Sequence, residues 1–124
     1  MMATIVALIP DLLFGSKVTE QLGSAGHEVI LCTTEQDAWG QADRADVLVV
    51  DLTSDDVDGA TLVDSMRAAG ALHGTATLAF YAHVDTATKA RAEEVGFDVI
   101  VPRSRMAREG AQLVARLAGD RPPT

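Results

Sequence analysis

A single cysteine, Cys32, is the only thiol in this 124-residue chain, so no internal disulfide can form and a reducing cytoplasm is the expected setting. Basic residues are scarce as well. Ten Lys and Arg stand against eighteen Asp and Glu, a net charge of −8. A surface of that sign repels nucleic acid and anionic lipid unless a local basic patch overrides the average. The one such patch, Arg103-Ser104-Arg105 with Arg108, is small, so neither a nucleic acid nor a membrane is the expected partner; a cation or a protein is. The longest apolar approach to a membrane span, Met1 to Phe14, is interrupted by Pro10 and Asp11 and has no basic residue before it, which excludes a signal peptide and a transmembrane helix. Pro10-Asp11-Leu12-Leu13-Phe14-Gly15-Ser16 does not have the glycine spacing that lets backbone approach a diphosphate, and a dinucleotide site is excluded on that ground. Serine and cysteine triad motifs are missing, and Cys32 has no base beside it in sequence, so nucleophilic catalysis has no candidate.

What remains is an ordinary globular composition, 48% hydrophobic and 23% charged, in a length that makes one domain with a core of its own. The expected domain covers residues 1–120, with 121–124 as a frayed tail, and it has no internal repeat or linker. Ala3 to Ile9 is a short apolar run closed by Pro10 and reads as a buried strand. Asp11 opens a helix to about Ala25, with Leu12, Leu13, Phe14, Val18 and Leu22 at helical spacing. His27–Cys32 is a second strand, and Thr33-Thr34-Glu35-Gln36 starts a short helix to about Ala45. Thr75–Tyr81 and Phe97–Val101 are further strands, the second ending at Pro102. Between them Asp85 caps a helix to Val95 whose small alanines face the sheet, and Ser104 caps a last helix that turns Met106, Leu113, Val114 and Leu117 to the core. Strands alternating with helices in this way predict an α/β fold, a parallel sheet with helices on both faces.

The central stretch is Asp46 to Arg67. It begins as a β-branched run buried on both faces, ends that run with the carboxylate of Asp51, and starts a helix at Asp58-Gly59. Asp51, Asp58-Gly59, Leu62 and Arg67 together have the spacing of the phosphoacceptor strand and third helix of response-regulator receiver domains, and the chain resembles that family over nearly its whole length. The resemblance implies a flavodoxin-like, doubly wound sheet of five strands in the order 2-1-3-4-5, a signalling role in a two-component system, and Asp51 at the acceptor position.

Elsewhere the receiver pattern is broken. The acidic pair that holds magnesium in the family reads Pro10 and Asp11 here, and the threonine or serine that ends strand four is matched by Tyr81, followed by the usual small residue, Ala82. Val101, before Pro102, stands where the family has its lysine; Asp98 takes the place of a switch aromatic, and Ser54-Asp55 the place of a Met-Pro pair. Phosphoryl transfer to a carboxylate needs a divalent cation and fixed positive charge on the phosphoryl oxygens. Losing the lysine removes that charge, Tyr81 crowds the pocket, and Arg103, lying beyond Pro102, is expected to point away. Asp11, Asp51 and the carbonyl of Thr53 are the possible magnesium ligands, with Asp11 also able to cap its helix. Pro10, Tyr81, Ala82, His83, Val101 and Pro102 are expected to line the pocket.

Three readings follow. The first is an atypical or pseudo-receiver, stand-alone and without turnover, that binds a protein partner. Its surface would include one of Leu12, Leu13 and Phe14, since consecutive helical residues cannot all face inward. It would also include the face of the last two helices and strand five, where Arg103, Arg105 and Met106, with Arg108, could meet Asp85 and Glu93 of a second copy. The second reading is a phosphorylatable single-domain response regulator. In the third, Asp11, Asp51, Tyr81 and His83 form a small-ligand or metal-binding module or an enzyme, with His83 and the aspartates near it, Asp11, Asp51 and Asp85, offering a possible His-Asp-Asp metal group.

Overall fold

The computed structural model describes residues 3–119, so the expected tail at 121–124 lies outside the described residues. Five parallel strands form one sheet in the order β2-β1-β3-β4-β5: β1 is Thr4–Leu8, β2 Glu28–Cys32, β3 Val47–Asp51, β4 Ala76–Tyr81 and β5 Val99–Pro102. The helices between and after them are α1 Leu12–Ser24, α2 Glu35–Gln41 (followed by a 3-10 turn, Ala42–Arg44), α3 Gly59–Ala68, α4 Thr86–Val95 and α5 Arg103–Gly119. The order matches the expected doubly wound, flavodoxin-like topology.

Period-two alternation along the strands divides the core into two layers. Ile5, Ala7, Val47, Val49, Leu78 and Phe80 face α1 and α5, where Phe14, Val18, Met106 and Val114 complete the packing. Val6, Leu8, Leu48, Val50 and Ala79 face the other side, against Leu62, Val63, Met66 and Ala92. By the same alternation Asp51, two residues after Val49, belongs to the α1/α5 face. Its partner across the β3–β4 ladder is Phe80, which lies in that layer.

Local chemistry explains the helix starts. Asp11 accepts from the amides of Leu13 and Phe14, Thr34 from Asp37, Asp58 from Thr61 and Asp85 from Thr88, each satisfying backbone donors that a helix leaves open. Two expectations fail here. Ser104 does not cap α5, because the helix already begins at Arg103, directly after Pro102. On α4 only Ala92 is buried, not a face of alanines, since that short helix meets the sheet along a narrow line. Gly96 does stop α4, with φ +90 in the left-handed region.

Candidate functional site

The carboxyl ends of β1, β3, β4 and β5 bring Pro10, Asp11, Asp51, Tyr81, Ala82 and Pro102 to one end of the sheet, the place where open α/β sheets bind ligands. Asp51 ends β3 and is 0% exposed. Its Oδ1 accepts from the Thr53 amide at 2.7 Å and the Thr53 hydroxyl at 2.6 Å. Its Oδ2 is buried with no hydrogen-bond partner, the only such side-chain atom among the described residues. Burying a polar oxygen without a donor costs free energy, and atoms left in that condition often serve chemistry or a ligand.

Asp11 is fully engaged. Oδ1 caps α1 at 3.0 Å from the Leu13 amide and 3.3 Å from that of Phe14, while Oδ2 accepts from Arg103 at 3.1 Å. The Phe14 amide, followed by the Arg103 guanidinium, holds the Asp11 carboxyl below the usual carboxylate range. Arg103 therefore does reach back, contrary to the expectation that it points away. Its guanidinium also lies 4.1 Å from the centroid of the Phe14 ring, and Phe14 packs on Phe80 with centroids 5.2 Å apart. Since Phe80 is the ladder partner of Asp51, the cation, the two rings and both carboxylates belong to one corner of the α1/α5 face. Sequence reading missed this because 92 positions separate Arg103 from Asp11. The usable signal was that α5 starts with no spacer after Pro102, which turns its first side chain toward the end of the sheet.

A magnesium ion, as the resemblance implies, does not fit this donor set. Pro10 offers no carboxylate and Asp11 has both oxygens engaged, one of them by a cation; magnesium needs hard anionic oxygens in near-octahedral array. Of these carboxylate oxygens, Asp51 Oδ2 is the one that has no hydrogen bond to give up. The pair between Asp11 and Arg103 is itself half exposed and solvent-screened, so it is a weak competitor for a cation. The carboxylate that the resemblance implies and Pro10 does not supply is the larger obstacle.

Tyr81 is buried at the end of β4, in register with Pro102, and Val101 is buried in the α1/α5 layer. His83 is exposed in the β4–α4 loop. It forms no metal group with Asp11, Asp51 or Asp85: among the described residues no three His, Cys, Asp or Glu are placed to hold a metal ion together. Asp85 is occupied in capping α4, accepting from the Thr88 hydroxyl at 2.6 Å. The β3–α3 loop and the start of α4 border a polar pocket of about 320 Å³ lined by Thr53, Asp55, Asp58, Ala82, Asp85 and Arg91; of the residues expected to line the site only Ala82 borders it, and Pro10, Tyr81, His83, Val101 and Pro102 do not.

Of the expected surface residues, Met106 is corrected. It is 0% exposed and part of the core under β4 and β5, because the periodicity of α5 that buries Leu113 and Val114 buries it too. Arg105 is exposed and pairs with Glu109 one turn on at 3.4 Å. Asp98, in the bend just before β5, accepts from the Thr77 amide at 2.8 Å and ties the start of β5 to β4. Around the mouth of the site, Leu12, Leu13 (81% exposed) and Val84 (86% exposed) project into solvent. The expectation of one outward residue among Leu12, Leu13 and Phe14 is exceeded, since only Phe14 is buried. Cys32 is a buried core residue whose thiol is pushed up by burial.

No protein-family model and no curated protein sequence matches the chain. Solved structures do. The receiver domain of the Francisella response regulator 1452 superposes with TM-score 0.82 at 17% identity, covering 94% of this chain and 97% of that one. The Vibrio cholerae chemotaxis protein CheY4 gives 0.81 at 20% identity over 94% and 99%. A DNA-binding response regulator of the LuxR family from Staphylococcus aureus gives 0.80 at 11% identity over 94% and 98%. At such identities the likeness is one of fold: this chain has the fold of a response-regulator receiver domain. No helix of the described residues is long and apolar enough to cross a membrane.

Proposed function

We propose that the chain is a receiver-like signalling module of the two-component type that acts by binding a protein partner at the carboxyl end of its sheet, with no turnover and no magnesium-dependent phosphorylation of Asp51. The observation that carries this reading is the condition of Asp11 beside Pro10: the one remaining acidic residue after β1 is spent on a helix cap and on Arg103. The protein-binding half draws on Leu12, Leu13 and Val84, whose exposed apolar groups surround that corner and mark a contact surface.

A second reading is favoured by one specific observation. The free Oδ2 of Asp51 is the kind of nucleophilic oxygen an acceptor needs, and Arg103 returns a positive charge to the corner from which the lysine is missing. On that reading the chain is a phosphorylatable single-domain response regulator.

Incubation with acetyl phosphate and magnesium, followed by intact mass, separates the two. The first reading expects unmodified protein. A phosphoryl adduct that disappears in Asp51→Asn refutes it and establishes the second. In parallel, Leu13→Glu with Val84→Glu should abolish capture of the specific partner from a cell extract while leaving the thermal midpoint within about 2 °C, since exposed substitutions rarely exceed half a kcal/mol. Undiminished capture would place the partner surface elsewhere.

A further inference from the structure

Between α2 and α3, on the opposite face of the sheet from Asp51, runs a groove of about 570 Å³ bordered by Glu35, Gln36, Trp39, Thr61, Leu62 and Ser65. We infer that this groove docks a basic amphipathic helix of a protein partner, which sets one bulky apolar side chain against Trp39 and its Lys or Arg residues against the acidic α2 rim. The inference is independent of what happens at Asp51.

Three observations carry it. Trp39 is the only tryptophan of the chain, and it lines the groove with 40% of its surface exposed; a large rigid aromatic ring open to solvent at the side of a concave wall is the usual anchor of a protein contact. The walls are two helices, and Gly40, with no side-chain atoms, lowers one of them beside Trp39, so the cleft has the shape that takes the ridge of a third helix. The charge of the lining is of one sign. Glu35 lines the groove, and Asp43, exposed in the 3-10 turn that continues α2, adds a second carboxylate at the end of that wall. No Lys or Arg lines it. The nearest, Arg91, is committed to Asp58 at 3.8 Å and to the Thr61 hydroxyl, and Arg44 pairs with Glu28 at 3.8 Å.

The groove is also tied to the loop that follows Asp51. Glu35 Oε1 accepts from the Asp58 amide at 3.2 Å, and the Asp58 carboxylate accepts from the Thr61 amide and hydroxyl at 3.0 and 2.8 Å. Both walls thus meet at the residue that caps α3, so a helix seated between them bears on the β3–α3 loop.

Because Trp39 is alone, its fluorescence reports the groove directly. The probe is a synthetic Leu/Lys amphipathic helix of about 18 residues, long enough to be helical when bound, with a Leu/Glu peptide of the same pattern as its counterpart. Titration of the Leu/Lys peptide should blue-shift the emission saturably, with amide shifts in the ¹⁵N spectrum centred on residues 35–41 and 58–65. Glu35→Lys with Asp43→Lys should weaken binding about fivefold, the effect of two rim pairs, whereas Glu93→Lys with Glu94→Lys, an equal change of net charge on α4, should weaken it less than about twofold. Equal weakening by the two variants, equal binding of the Leu/Glu peptide, or amide shifts centred elsewhere would overturn the inference. So would a blue shift on raising the concentration of the protein alone, which would make a second copy the occupant.

Discussion

Gly59 sits at the first position of α3, where its Cα faces the end of β3. A Cβ built there would lie 2.3 Å from Val50 Cγ1 and 2.9 Å from Leu52 Cδ2, distances at which a side chain or the helix must move. Alanine is a better helix former than glycine by about 1 kcal/mol, but overpacking a tight contact costs about 1–3 kcal/mol, and the second effect wins. Gly59→Ala should therefore lower stability by about 1–2 kcal/mol in urea unfolding; an unchanged or raised midpoint would show that the α3–β3 contact is looser than the distances imply. This is also why Asp58-Gly59 was legible as a unit: one residue caps, and the next permits close approach. The site was legible only in part. Asp51, Asp11 and Pro10 could be placed because each ends or follows an apolar run, but the Arg103 contact joins segments that no local pattern links. Met106 was assigned both to the core and to a partner surface, and periodicity alone should have decided for the core.

At the scale of the helix, three of the four capped N-termini use aspartate: Asp11 for α1, Asp58 for α3 and Asp85 for α4. All three carboxyls are held below their ordinary value of 3.8, Asp11 first by the Phe14 amide, Asp58 by the Thr61 amide and hydroxyl, Asp85 by the Thr88 hydroxyl and amide. On acidification the unfolded chain takes up these protons first, so acid favours unfolding. The stabilisation is complete well above 3.8 and is lost as pH falls through and below it. Asparagine caps as well as aspartate but does not titrate, so replacing all three by Asn should flatten the decline in urea midpoint between about pH 5 and pH 3. A variant that loses stability with the wild-type slope would show that other carboxylates govern the acid limb. Caps and glycines, being local chemistry, made the elements readable to within a residue or two. The exceptions were the second helix, expected to run to about Ala45 but ending at Gln41 in a 3-10 turn, and Ser104 and the alanines of α4, where the contact geometry of the sheet decided which residues cap and which are buried.

For the molecule as a whole, a net charge of −8 would ordinarily favour a divalent cation at an acidic sheet end, yet the chain meets Asp11 with its own arginine. Magnitudes show which of the two departures matters more. Releasing Asp11 from a half-exposed, solvent-screened ion pair changes metal affinity only slightly. Supplying the missing carboxylate changes the number of charged ligands, which sets the affinity of oxygen sites over orders of magnitude. Arg103→Gln alone should thus leave the thermal midpoint nearly indifferent to magnesium, whereas Pro10→Asp with Arg103→Gln should acquire a magnesium-dependent rise. At ten times its dissociation constant the ion would add about 1.4 kcal/mol, several degrees for a domain of this size. Each variant serves as its own control, measured with and without the ion. A comparable rise in the unmodified protein would mean that Asp51 and Thr53 hold the cation without a carboxylate at position 10.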